Sequence, residues 1–118
     1  MFILSIVHLL LFAPPLLYIG LKRSATPYWA FQSLLFVGAG IFLYHLSRLI
    51  YTGSYINAIH VLLIAPLLMF IGWYQQNTPR AAYEILLMII FAMIGWHTLN
   101  LVRLLDLHSE TAVKLSEL

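Results

Sequence analysis

A stretch of thirteen residues occurs twice in this sequence, at an offset of 52 positions. Residues 8–20 read HLLLFAPPLLYIG, and residues 60–72 read HVLLIAPLLMFIG. The offset continues without a gap: 15 of the 42 residue pairs from His8/His60 to Leu49/Leu101 are identical, and only six of those are leucines. An internal repeat of this length predicts a fold built from two copies of one structural unit.

The composition indicates that this repeat is solvated by lipid. Hydrophobic residues make up 63% of the chain and charged residues only 8%, which is typical of an integral membrane protein. Four apolar segments, at about 2–21, 28–51, 55–75 and 81–105, have the roughly 20 residues that a helix needs to cross the bilayer core. Since lipid offers the backbone no hydrogen-bond partners, we predict an all-α membrane protein.

The segments between the spans predict how the helices are connected. Polar turns containing proline lie at 22–27 and 75–80, and a short turn lies at 52–54. We therefore predict a first helical hairpin at 1–54, a second at 55–105, and a polar tail at 106–118 that is frayed or lies at the membrane surface. Two spans per repeat predict a four-helix bundle with a pseudo-twofold axis along the membrane normal.

Four histidines form two pairs related by the repeat, His8 with His60 and His45 with His97. The first pair lies near the start of its helices and the second near the end, so antiparallel helices bring all four into one leaflet. Each has a polar companion three residues away, on the same helix face. We expect this layer to face inward, because lipid penalises polar groups; the companions are Ser5, Arg48, Asn57 and Asn100.

Imidazole is a common ligand for iron, copper and zinc, and the companions could bond its second nitrogen. We therefore expect the four histidines to bind one transition-metal ion, or haem b as two bis-histidine pairs. Gly38-Ala39-Gly40 would leave some space for haem, but its counterpart Ile90-Phe91-Ala92 fills that volume, so the ion is slightly favoured. The alternatives are a proton or small-ion pathway through the histidines, and a structural or assembly subunit of a membrane complex.

Other classes of function have little support in the sequence. There is no cysteine, so disulfides and thiolate metal sites are excluded. A net charge of +2 from six basic and four acidic residues is too sparse for nucleic-acid binding. No catalytic motif is present, so an enzyme would depend on a bound metal. The expected partners are the lipid bilayer and, through association, other copies of the chain or a larger complex.

Basic residues mark both sides of the predicted membrane. Lys22, Arg23 and Arg80 lie on one side, and Arg48, Arg103 and Lys114 lie on the other. Because the first helix often dominates orientation and Lys22-Arg23 follows it directly, we expect both termini to lie outside.

Overall fold

A computed structural model describes residues 2–118 and contains four long helices in this range. They are α1 (Phe2–Ala25), α2 (Tyr28–Thr52), α3 (Tyr55–Asn77) and α4 (Arg80–Ser116), and none of the described residues lies in a strand. All four are long and apolar enough to cross a membrane. The prediction of an all-helical chain is confirmed, and the helices are compatible with a multi-pass membrane protein.

Two of the helices change their winding along their length. In α1, α-helix at Phe2–Val7 is followed by a π turn at His8–Phe12, α-helix at Ala13–Lys22 and a 3₁₀ turn at Arg23–Ala25. The same four kinds of segment follow one another in α3, at Tyr55–Ile59, His60–Ile64, Ala65–Tyr74 and Gln75–Asn77. The changes of winding therefore occur at positions 52 residues apart.

The fourth helix is longer than predicted. It does not end at 105 but continues as α-helix to Ser116. Its 37 residues give a length of about 55 Å at about 1.5 Å per residue, far more than the bilayer core of about 30 Å. Because residues 106–116 contain neither glycine nor proline, this part of the tail extends the helix already formed instead of fraying.

The chain divides into two compact units. One joins the start of α1, up to Tyr18, with Met88–Leu118, and the other is Ile19–Leu87. Each unit thus combines residues from both halves of the sequence repeat. The division into hairpins at 1–54 and 55–105 remains a prediction.

The core of Ile19–Leu87 depends on close contact between α2 and α3. A Cβ atom built on Gly72 would lie 2.8 Å from the carbonyl oxygen of Phe31, and one on Gly38 would lie 3.2 Å from that of Ala65. Only glycine lets the two backbones approach so closely. Around these points the side chains are almost fully buried, among them Phe31, Leu34, Ala65, Leu68, Ile71, Tyr83 and Leu86.

The other unit buries polar as well as apolar side chains. Ala13 and Ile90 are buried, as expected of apolar residues, but so are Ser5 and Asn100. A polar side chain withdrawn from solvent within an apolar span is costly unless it bonds to a partner. Ser5 has such a partner, and it is a histidine.

Candidate functional site: two histidine pairs

In the structure the histidines form two stacked pairs, each with one member from each of the repeat-related pairs. The first stacked pair consists of His45 and His60, both in the Ile19–Leu87 unit. The turn between α2 and α3 brings them together: Gly53 adopts a left-handed φ of 64° and its N–H donates to Leu49 O at 2.8 Å, which ends α2 tightly. The two imidazole rings then lie face to face, with centroids 4.0 Å apart and planes inclined by 18°.

A chain of hydrogen bonds fixes the ring of His45. Its Nδ1 lies 2.8 Å from Asn57 Oδ1, Asn57 Nδ2 donates to Thr52 Oγ1 at 3.3 Å, and Thr52 Oγ1 donates to the carbonyl of Arg48 at 2.7 Å. Since the Thr52 hydroxyl donates its hydrogen bond to the backbone carbonyl of Arg48, it accepts one from the amide of Asn57. This bond orients Asn57 Oδ1 toward His45. The amide oxygen only accepts, so Nδ1 carries the proton and Nε2 carries the lone pair of the neutral ring.

His60 is held in the same tautomer by its own helix. Its Nδ1 lies 2.7 Å from the carbonyl oxygen of Ile56, one turn earlier. A carbonyl oxygen cannot donate, so Nδ1–H is the donor and the lone pair lies on Nε2. Both rings of the pair therefore present the same nitrogen for protonation or for binding a metal.

The second pair, His8 and His97, lies in the other unit and repeats this arrangement. The rings are stacked with centroids 4.3 Å apart and planes inclined by 22°. His8 Nδ1 donates to the carbonyl of Leu4 at 2.7 Å, as His60 does to Ile56. His97 Nδ1 lies 3.1 Å from Ser5 Oγ, and Ser5 is the counterpart of Asn57 in the 52-residue offset. Each unit thus contains one stacked pair, and in both pairs one ring bonds a side chain of the other helix.

Two of the four predicted companions bond histidines, but not the histidine on their own helix. Ser5 and Asn57 were expected to support His8 and His60, three residues away, and they instead bond His97 and His45. The reason is geometric. Residues three apart on a helix lie on one face, and where that face packs against a neighbouring helix, their side chains can bond those of the neighbour as well as each other.

The other two companions have different surroundings. Arg48 is exposed, and its carbonyl oxygen, not its side chain, belongs to the hydrogen-bond chain of His45. Asn100 is buried, at 8% exposure, and its Nδ2 has no hydrogen-bond partner in the structure. Neither side chain bonds the histidine of its own helix that it was expected to support.

Both π turns begin at a histidine of the predicted site. In each, the carbonyl of the histidine accepts a backbone bond from five residues later: Ala13 N–H bonds His8 O, and Ala65 N–H bonds His60 O. A proline follows each turn and cannot donate to the carbonyl four residues back. Pro14 and Pro66 therefore mark both positions in the sequence, but the widened turn itself carries no separate sequence signal. Such turns occur frequently at functional sites.

The pairs are only partly suited to hold a metal. Among residues 2–118, no group of three or more histidine, cysteine or acidic side chains is arranged to hold an ion. Two ligand nitrogens about 2 Å from one ion need lone pairs that converge on it, whereas the lone pairs of face-to-face rings lie in nearly parallel planes, inclined by 18° and 22°. A bound ion would therefore require the rings to turn. Haem would also need space, and beside Gly38 that space is filled by Met69. The tetra-histidine ion site and the haem site remain predictions.

Comparison with protein-family models, curated proteins and solved structures finds no match for this chain.

Proposed function

We propose that this chain is a small multi-pass membrane protein that binds and releases protons at its two histidine pairs and thereby provides a proton pathway. One observation carries the proposal: in both units two imidazoles are stacked within an apolar span, at 4.0 and 4.3 Å. Histidine is the side chain that changes charge near neutral pH. Ionisable groups within membrane spans are usually functional, because their burial is costly.

The stacked geometry sets how many protons each pair holds. With Nδ1 donating to a fixed oxygen acceptor in His8, His45 and His60, a proton is taken up at Nε2. One protonated ring then lies on the face of a neutral one, which is a favourable arrangement for a cation. Two charged rings 4.0 Å apart would repel each other by about 4 kcal/mol at an effective dielectric constant of about 20. Each pair should therefore carry one exchangeable proton.

Proton flux into liposomes tests the proposal. Purified protein would be reconstituted with a pH-sensitive dye inside the vesicles, and a potassium gradient with valinomycin would drive protons inward. We expect acidification faster than in protein-free vesicles, and a rate close to the protein-free value for the double variant His45→Gln, His97→Gln. The matched control is His108→Gln, because His108 is exposed on the part of α4 beyond the predicted span, and it should keep the wild-type rate.

Two results would contradict the proton pathway. Wild-type vesicles that acidify no faster than empty ones would exclude transport under this driving force. A double variant that keeps the full rate would show that protons cross without the histidines. A structural or assembly subunit predicts the first of these results together with a colourless, metal-free protein.

The metal or haem site is a second candidate, and one observation favours it. Nδ1–H donation to a backbone carbonyl, as in His8 and His60, is the usual way in which a histidine is oriented to bind a metal through Nε2. Elemental analysis of the detergent-purified protein, with a visible spectrum of the same sample, tests it. Near-stoichiometric iron, copper or zinc lost in His45→Ala and His97→Ala would support the ion, and a Soret band would identify haem b.

We also infer that the fold consists of two tandem hairpin repeats forming a four-helix bundle. The π turns at His8 and His60 lie 52 residues apart, and the same offset relates His8 to His60 and His45 to His97, so that the two stacked pairs are equivalent; both observations support this reading of the sequence repeat. The pseudo-twofold axis and the outside location of both termini remain predictions. Lipid is the expected surrounding medium, and association into a homo-oligomer or a larger membrane complex remains a proposal.

A further inference from the structure

The two 3₁₀ turns, at Arg23–Ala25 and Gln75–Asn77, have similar backbone φ values at their first residue but differ in the hydrogen bonds of their polar side chains. Arg23 and Gln75, at equivalent positions, both have a left-handed φ, of 54° and 51°. In each turn the threonine three residues later donates its N–H back to this residue, Thr26 to Arg23 O at 3.0 Å and Thr78 to Gln75 O at 3.1 Å. Such strained conformations persist where the surrounding structure or a function requires them.

The second turn satisfies its polar groups internally. Thr78 Oγ1 donates to the carbonyl of Ile71 at 3.3 Å, and the Tyr83 hydroxyl donates to the carbonyl of Gln75 at 3.1 Å. The residue at the head of this turn is uncharged. No external group is needed to complete its hydrogen bonds.

The first turn lacks each of these features. Thr26 is only 2% exposed and its hydroxyl has no partner, and the Nε atom of Arg23 is also buried without one. Phe31 occupies the position of Tyr83 and has no hydroxyl to donate. Lys22 precedes Arg23, so the turn is cationic. A buried donor on a charged group costs free energy when it has no acceptor, and an oxyanion would supply one for both Arg23 and Thr26.

The surroundings of the turn indicate which oxyanion is at hand. Tyr28 and Trp29 follow the turn directly and are 57% and 68% exposed. Exposed tyrosine and tryptophan at the end of an apolar span are typical of the membrane–water interface. At that depth the available oxyanion is the phosphate of a lipid headgroup, and arginine binds phosphate strongly.

We propose that the Lys22–Pro27 turn is a binding site for the phosphate of an anionic phospholipid, with Arg23 Nε and the Thr26 hydroxyl as donors. The counterpart turn at 75–79 is not such a site, because the Thr78 hydroxyl already bonds the carbonyl of Ile71 and the uncharged Gln75 occupies the position of Arg23. The proposal does not depend on the histidine pairs, and its test uses neither flux nor metal content.

Native mass spectrometry of the detergent-purified protein provides the test, with phosphatidylglycerol and phosphatidylcholine added in separate arms and inorganic phosphate then added to each as a competitor. The decisive variant is Arg23→Gln, because glutamine already has a positive φ at the equivalent position 75, of 51° against 54° for Arg23. We expect wild type to retain phosphatidylglycerol over phosphatidylcholine, and the variant to bind it about tenfold more weakly, the effect of losing one hydrogen bond between charged groups. Arg23→Lys keeps the charge but lacks Nε, and should also lose most of this preference.

The matched control is Arg80→Gln, which removes an exposed basic residue that is paired with Glu84 at 2.7 Å. It should leave phosphatidylglycerol binding unchanged. Equal binding by wild type and Arg23→Gln would overturn the site, and so would an equal loss in Arg80→Gln, because that loss would reflect net charge alone. If millimolar inorganic phosphate displaced the lipid from wild type but not from Arg23→Gln, a soluble phosphate would be the ligand and the lipid assignment would be wrong.

Discussion

Replacement of Gly72 by alanine should weaken the contact between α2 and α3. The added Cβ would lie 2.8 Å from Phe31 O and 2.9 Å from Leu35 N, well inside van der Waals contact. Both are backbone atoms of a helix and cannot rotate away, so the two helices must separate. Overpacking of this kind costs about 1–3 kcal/mol. We expect the free energy of unfolding to fall by that amount.

Two other glycines provide matched controls in the same chain. Gly20 is the counterpart of Gly72 in the repeat, but the three atoms nearest its added Cβ all belong to leucine side chains: Leu87 Cδ2 at 2.7 Å, Leu87 Cγ at 2.9 Å and Leu86 Cδ2 at 3.9 Å. A leucine can change rotamer, so Gly20→Ala should cost less than about 1 kcal/mol. Gly40 has no neighbouring atom within 4 Å of its added Cβ, so Gly40→Ala should have almost no effect.

The assay is unfolding of the protein in mixed micelles by increasing fractions of sodium dodecyl sulfate, followed by far-ultraviolet circular dichroism. All three variants would be measured against wild type under identical conditions. A free energy of unfolding for Gly72→Ala within about 0.5 kcal/mol of that for Gly40→Ala, the range of an ordinary surface substitution, would contradict a backbone clash at Gly72. Equal destabilisation by Gly20→Ala and Gly72→Ala would also contradict this clash, because backbone and side-chain neighbours would then have the same effect.

Three further substitutions can be measured by the same unfolding assay. Asn57→Leu removes the acceptor of His45 Nδ1 and should cost about 1 kcal/mol, as cross-helix hydrogen bonds in membranes do; an unchanged stability would show that this bond contributes nothing. Asn100→Leu should be neutral or stabilising, because it removes a buried Nδ2 without a partner, and a clear loss of stability would contradict that account. Glu84→Gln breaks an exposed ion pair with Arg80 and should change stability by less than about 0.5 kcal/mol, with even that difference disappearing at high salt.

Much of the fold follows from patterns that act along the chain. Apolar segments of about 20 residues predicted the four helices, and the turns at 22–27, 52–54 and 75–80 predicted where they are separated. These features depend on local chemistry: lipid excludes unpaired backbone groups, proline starts a helix, and Gly53 tolerates the left-handed conformation that ends α2. Each of these features can be predicted from a few neighbouring residues in the sequence.

The details of the candidate site depend on contacts between helices, and the sequence did not predict these contacts. The sequence predicted that Ser5 and Asn57 support the histidines of their own helices, yet they bond His97 and His45. Which side chain lies opposite another depends on the rotation and register of two helices, and helical periodicity defines only the face of each one. The stacking of the rings depends on the same interhelical geometry.

Each π turn holds one residue more than an α-helical turn of the same span. Deletion of a single residue within 8–12 or 60–64 could therefore convert the turn to α-helix while the segments on either side keep their faces. Deletion elsewhere in these helices would rotate one end by about 100° and turn His8 or His60 away from its stacked partner. Relatives of this chain that differ in length within a span should accordingly differ at the π turns, and an alignment gap there would leave the membrane helix intact.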